Sequence, residues 1–202
     1  MDESSFTIIN TDNSTSSKET AINTSQNIEN YIQISPSMEK HILKSIAQNL
    51  RDIIRENIRN NQMKYVKYDL FFINRQQSIS IEDFINFLYK NTKMNISTLI
   101  LSIIYIDKFC EINRYILSLK NIHRILIASC LLSIKFNEDS ISTKYYAKIV
   151  GTTDFDLNNL ELYFYFKLQF SLFVDFDYYQ KYFDYFCNFK LDKEIKNKKI
   201  PK

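Results

Sequence analysis

The apolar stretch LKNIHRILIASCLLSIKF, residues 119–136, is the most informative part of this sequence. Its residues 125–134 carry no charge, and Lys135 and Phe136 close the run. A helix that is apolar on every side must be enclosed by other segments, and about ten residues are too few to cross a bilayer. We therefore expect residues 119–136 to form the central helix of a folded core.

The neighbouring segments are rich in Leu, Ile, Phe and Tyr and predict the helices that enclose this one. Between Ser37 and Ile200 there is no proline and only one glycine, Gly151, whereas a fold of sandwiched strands needs such residues in its frequent turns. The sequence therefore predicts an all-α fold. The predicted helices cover residues 81–92, 96–113, 119–136, 143–150, 154–169 and 175–188. Predicted cap residues are Ser80, Asn95, Ser118, Ser142 and Thr153, and Gly151 can end the fourth helix in a left-handed turn.

The chain length allows one domain with flanking segments. Residues 1–37 are polar, have no apolar period and predict a disordered arm. Residues 38–60 predict an amphipathic helix, which docks on a protein surface more commonly than on a membrane. Residues 61–77 form a connector, residues 78–172 the helical domain, and residues 173–202 a last helix with a basic tail. Ser35 precedes Pro36 and is a possible phosphorylation site, although such dipeptides are common.

Composition argues against most kinds of enzyme. One glycine cannot build a phosphate-binding loop or a nucleophile elbow, and neither histidine has a cysteine or an acid at metal-ligand spacing. We therefore expect no catalytic residue, no metal, no cofactor and no small-molecule substrate. Three widely spaced cysteines and the lack of a signal or membrane-spanning segment predict a protein of the cytoplasm or nucleus, without a membrane partner.

The net charge of +3 is small and unevenly distributed, because residues 1–37 carry a net charge of −4 and the remainder of the chain +7. It lacks the clustered arginines and interleaved aromatic residues of a nucleic-acid reader, so nucleic acid is not the expected partner.

Two charged residues lie at apolar positions. Glu161 falls within or at the edge of the apolar stripe of the fifth helix, and Lys135 ends the uncharged run of the third. Each has an ordinary explanation, because a glutamate can face water at the domain rim and a lysine complements the dipole at a helix C-terminus. Each could equally be held for a partner.

Four segments in this order resemble a cyclin box, in particular that of the P/U-type, phosphate-regulon-like cyclins. They are YIDKF (105–109), SLKNIHRILIASCLLSIKFNED (118–139), YYAKIVG (145–151) and LNNLELYFYFKLQFSL (157–172). The resemblance covers residues 78–172 and implies five helices around a central third one. Since only about thirty residues follow Leu172, too few for a second box, the sequence is similar to the single-box type.

The resemblance implies a regulatory subunit that binds and activates a cyclin-dependent protein kinase and is not itself an enzyme. By position, Lys135 and Glu161 would bind the kinase, and Asp107 would belong to a framework ion pair. The usual basic partner of that aspartate would fall near Ser78, so we expect Arg124 or Arg75 to replace it. The alternative is a cyclin-fold protein that resembles a transcription factor or adaptor and binds nucleic acid or a scaffold.

Overall fold

The computed structural model describes residues 34–74, 77–138 and 141–191. Within these ranges the chain forms seven α-helices, one short 3₁₀ helix at Gln62–Tyr65, and no strand. The α-helices are α1 (Pro36–Arg59), α2 (Ile81–Thr92), α3 (Ile96–Asn113), α4 (Ile122–Asn137), α5 (Thr143–Val150), α6 (Asp154–Lys167) and α7 (Phe176–Cys187). The predicted all-α fold is confirmed.

The helix α4 lies at the centre of the core. Every residue from Ile125 to Ile134 is buried, and α4 packs against α3 on one side and α6 on another. The polar groups in this run bond inside the core: the Ser133 hydroxyl donates to the Ser129 carbonyl at 2.8 Å, and the Cys130 thiol lies 3.5 Å from the Ser102 hydroxyl. Because these polar groups form hydrogen bonds, the helix can be completely buried without leaving them unsatisfied.

The helix α4 begins three residues later than predicted. Asn121 is fully buried and bonds to the chain before it, accepting from the Ser118 amide at 2.8 Å and donating to the Ile116 carbonyl at 2.9 Å. These bonds hold residues 118–121 in a turn, because asparagine side chains compete for nearby backbone groups. Ser118 is therefore not the cap, and Asn121 takes that position.

Two other helix ends also differ from the predicted ones. The helix α1 begins at Pro36, inside the predicted arm, because Ser35 caps it by accepting from the Met38 amide. The helix α6 ends at Lys167, where the chain turns through left-handed conformations at Gln169 and Phe170. The rest of the predicted arm, residues 1–33, and most of the basic tail lie outside the described residues.

The first and last helices pack on the same part of the domain. The helix α1 contacts α2 and α7, and α7 also contacts α3. Along α1 the buried residues include Ile42, Ile46, Leu50 and Ile54, which recur at helical spacing and form the docked face. No helix in the described ranges combines the length and the apolar content needed to cross a bilayer.

Candidate functional site

Lys135 and Glu161 meet on the surface of the domain. Lys135 lies in the last turn of α4 and Glu161 in the middle of α6, and the lysine Nζ donates to Glu161 Oε2 at 2.6 Å. Their side chains are 29% and 17% exposed, so the pair lies at the boundary between core and solvent. The ammonium has three donors and the carboxylate two oxygens, so their mutual bond uses only part of what each can offer a partner.

The residues that follow Lys135 and Glu161 in the sequence have large apolar side chains that are exposed to solvent. Phe136 follows Lys135 and is 49% exposed, while Leu162 follows Glu161 and is 63% exposed. Phe166 and Phe170 continue the exposed apolar surface, and their rings lie 5.9 Å apart between centroids. Exposed apolar residues in such a group mark interaction surfaces more often than isolated ones do. We call Lys135, Phe136, Glu161 and Leu162 the charged-pair surface.

Asp107 does not form the expected ion pair within the described residues. Arg124 bonds elsewhere, since its guanidinium donates to Asp156 Oδ1 and to the Leu70 carbonyl, both at 2.8 Å. Arg75 lies outside the described residues. The expectation of an Arg124 partner is therefore wrong, because Arg124 points to α6 and the connector.

The partner of Asp107 is instead a tyrosine of the last helix. The Tyr182 hydroxyl donates to Asp107 Oδ2 at 2.8 Å. Desolvation raises the pKa of Asp107, the Tyr182 hydrogen bond opposes this rise, and the charge of Glu111 adds to it. A neutral donor can replace an arginine here because it satisfies the carboxylate without bringing in a second charge to desolvate. Sequence spacing offered no signal for a pair 75 residues apart.

Arg124 and Asp156 form a second link between α4 and α6. Asp156 Oδ2 also accepts from the Thr152 hydroxyl at 2.8 Å. Desolvation by itself raises the pKa of Asp156, but the hydrogen bonds from Arg124 and Thr152 and the arginine charge together lower it below its usual value. The link therefore fixes the angle of α6, and with it the position of Glu161.

Ser35 occupies a structural position. Its hydroxyl caps α1, lies 2.9 Å from the Ser37 hydroxyl and is exposed to solvent. Phosphorylation there stays a prediction.

Within the described ranges, the other side chains with metal-binding chemistry lie apart from one another. No cluster of three His, Cys, Asp or Glu side chains in the described part of the chain could hold a metal ion. His123 lines a pocket of about 260 Å³ together with Ile79 and Phe84. Burial lowers the pKa of His123, and its Nε2 lies 3.2 Å from the Ile79 carbonyl, to which it can only donate.

Comparisons with known proteins agree with this architecture. The model of the family described as Cyclin matches residues 3–172. Cyclin-U2-1 of Arabidopsis thaliana is 32% identical over 129 residues, which are 63% of this chain and 58% of that protein. Cyclin-P3-1 of Oryza sativa subsp. japonica is 27% identical over 114 residues, which are 56% of this chain and 48% of that protein.

The chain thus spans about half the length of the curated relatives that it matches. The family match, in contrast, covers far more than half of the chain itself. Together with the five-helix array α2–α6, whose central helix α4 is buried, these matches show that the chain belongs to the cyclin family, among relatives of the U and P types.

Proposed function

We propose that this chain is a regulatory subunit that binds and activates a cyclin-dependent serine/threonine protein kinase through the charged-pair surface. The observation that carries the proposal is the meeting of Lys135 and Glu161 at 2.6 Å beside exposed apolar side chains. An ammonium and a carboxylate beside an apolar patch can bond to the carbonyls and amides of a partner's helix end. The charges would set the orientation of the partner, and the apolar residues would supply the buried area.

The proposed mechanism is conformational. A protein kinase is active when an ion pair between its helix αC and a strand lysine is closed and its metal site is assembled. A subunit that holds that helix inward supplies the required contacts and shifts the kinase to its active state. The subunit itself transfers no phosphate, so its own residues need only bind and orient the kinase.

The pair is suited to opening when a partner arrives. A partly exposed ion pair is worth about 0.2–1 kcal/mol, so breaking it costs little beside the contacts that a kinase would bring. Until then the pair keeps both side chains ordered, which lowers the conformational entropy lost on binding.

The test is affinity purification of the tagged chain, with identification of co-eluting protein kinases and measurement of their activity on a serine-proline peptide. Lys135→Glu and Glu161→Lys are made singly and together. The double exchange restores an internal ion pair and so preserves the fold, but it presents the reversed polarity to a partner. We expect all three variants to lose about thirty- to four-thousand-fold in kinase affinity, the equivalent of about 2–5 kcal/mol.

A matched control exchanges another ion pair between helices. Arg51 and Glu82 meet at 3.1 Å, and their side chains are 31% and 33% exposed. We expect the variant with Arg51→Glu and Glu82→Arg to unfold at the same temperature as the unchanged protein and to bind the kinase with the same affinity. Kinase binding that survives the Lys135 and Glu161 exchange in a folded protein would overturn the proposal.

A further inference from the structure

A second charged surface is formed by the connector between α1 and α2, the turn before α4 and the end of α6. It contains four lysines whose Nζ atoms lie over aromatic rings: Lys64 over Tyr65 at 4.9 Å, Lys67 over Tyr115 at 5.7 Å, Lys120 over Phe72 at 5.4 Å, and Lys167 over Tyr163 at 5.3 Å from the ring centroids. We call these four lysines the lysine strip. Such contacts occur roughly once per 70–80 residues in proteins, so their clustering here is unusual.

One buried ring links two of the four lysines, Lys67 and Lys167. Phe71 is fully buried and contacts both Tyr115, at 6.3 Å, and Tyr163, at 5.4 Å. Asn113 joins two of the lysines, because its carbonyl accepts from Lys67 Nζ at 2.9 Å and its side-chain amide donates to the Lys167 carbonyl at 3.1 Å. The ammonium groups are thus attached to a packed scaffold although they come from distant parts of the chain.

No carboxylate in the part of the chain that the structure describes forms an ion pair with an ammonium group of the strip. The ion pairs among the described residues join Arg51 to Glu82, Arg55 to Asp52, Arg124 to Asp156 and Lys135 to Glu161, and none involves the strip. Asp69 lies beneath the strip but is directed inward, since its Oδ1 accepts from the Phe71 amide and the Tyr115 hydroxyl and its Oδ2 is buried. The strip therefore presents positive charge to solvent.

We propose that the lysine strip docks an acidic peptide segment of another protein. Carboxylates or phosphorylated side chains complement four ordered ammonium groups, and ordering by the rings lowers the entropy cost of binding. Tyr65 and Tyr68, which are 59% and 83% exposed, add hydroxyl donors and apolar contact beside the lysines.

A nucleic acid fits this surface less well than a peptide does. Single strands bind by stacking their bases on free aromatic faces. Here Tyr115 is buried and lysines of the chain itself lie over the Tyr65, Phe72, Tyr115 and Tyr163 rings, so Tyr68 is the ring of this group without a lysine over it. A single such ring does not provide the row of stacking faces that a strand of bases requires.

The strip and the charged-pair surface can be occupied at the same time. Lys167 follows Glu161 by six residues, which places it about 120° away around the axis of α6. Lys120 precedes the start of α4, whereas Lys135 lies in its last turn, about 20 Å further along that axis. A peptide on the strip would therefore not compete with a kinase on the charged-pair surface.

The test is fluorescence anisotropy with a labelled peptide of alternating glutamate and glycine, titrated with the full chain at low and at physiological salt. No kinase is present, so failure here is separate from failure of the proposed function. We expect binding that weakens with salt. The variant with Lys64→Glu and Lys67→Glu should bind the peptide about ten-fold or more weakly than the unchanged protein. The variant with Lys64→Arg and Lys67→Arg keeps the positive charges and should bind with the affinity of the unchanged protein.

The control variant changes the same net charge at another exposed place, by Lys144→Glu with Lys148→Glu on α5. It should bind the peptide like the unchanged protein. Equal loss in the control would show attraction to net charge only and would overturn the proposal. Absence of peptide binding, or tighter binding of labelled oligothymidylate than of the peptide, would overturn it as well.

Discussion

At the scale of single residues, Asp107 illustrates how the core treats an isolated carboxylate. It lies in a largely apolar helix and receives one hydrogen bond, from a tyrosine of another helix. Desolvation dominates its surroundings and raises its pKa, and the Tyr182 bond only partly offsets this. The folded state therefore disfavours the ionised form of Asp107 relative to the same carboxyl in water.

This leads to a prediction on pH. The folded pKa of Asp107 lies above its usual value of 3.8, so between the two values the folded protein binds more protons than the unfolded one. The contribution of Asp107 to stability thus increases as pH falls through the raised pKa. In Asp107→Asn this gain is absent, while the Tyr182 hydroxyl keeps an acceptor. Urea unfolding across the acid range should show that the free energy of unfolding of the unchanged protein increases relative to that of the variant as pH falls.

The difference in free energy of unfolding between the unchanged protein and Asp107→Asn cancels the contributions of the other acidic residues. Asp156 acts in the opposite direction, because its lowered pKa gives stability that is lost as pH falls, but it does so in both proteins. A difference in free energy of unfolding that is flat with pH, or that has the opposite sign, would contradict the assignment.

At the scale of elements, the helix ends show how the chain manages with a single glycine. Gly151 ends α5 in the left-handed region, at φ 71°, as expected for this residue. Lys93 and Arg114 do the same at the ends of α2 and α3, at φ 58° and 48°, although their side chains make this conformation less favourable. Some helix ends of this domain therefore carry backbone strain.

Exchanges at these ends should change stability in opposite directions. Gly151→Ala should cost about 1 kcal/mol through backbone strain alone, since an added Cβ at that position meets no atom within 4 Å. Lys93→Gly should stabilise by up to about 1 kcal/mol for the same reason. Thermal or urea unfolding measures both changes. Lys93→Ala is the control, because it shortens the side chain without relieving the φ angle, and a gain of equal size there would contradict the explanation.

At the scale of the whole molecule, the last helix belongs to the core of the domain. Tyr179, Phe183 and Phe186 of α7 are buried, and the Tyr105 hydroxyl donates to the Leu172 carbonyl just before that helix. The family match ends at residue 172, before α7 begins. The stable folding unit therefore extends beyond the matched region.

A substitution in α7 tests this extension. Phe186 is 1% exposed, so Phe186→Ala should destabilise the whole domain by about 3–5 kcal/mol, with one cooperative unfolding transition. Tyr185→Ala is the matched control, because that ring is 49% exposed and its hydroxyl accepts one bond from the Asn49 amide. Equal effects of the two substitutions, or a separate early transition of α7, would show that the helix is only an appendage.

The fold was predictable because it depends on local patterns. Each signal for the fold extends over only a few positions in the chain. These signals are the apolar run 125–134, the helical spacing of apolar residues, and the capping residues Ser80 and Thr153. Patterns over so short a range are set by the helix geometry itself. The start of α4 was missed because Asn121 bonds to the backbone before it, and a residue of that type can cap a helix or hold a turn.

By itself, then, the sequence determined that the chain is helical, that residues 125–134 are enclosed, and that Lys135 and Glu161 are charges in apolar surroundings. Tertiary structure alone decided that Asp107 meets Tyr182, that Arg124 meets Asp156, and that lysines of the connector and of α6 meet at Asn113. The physical reason is range. Burial follows from nearby residues, whereas a pairing between distant residues follows from the angles at which helices and connector pack, and no local spacing encodes those angles.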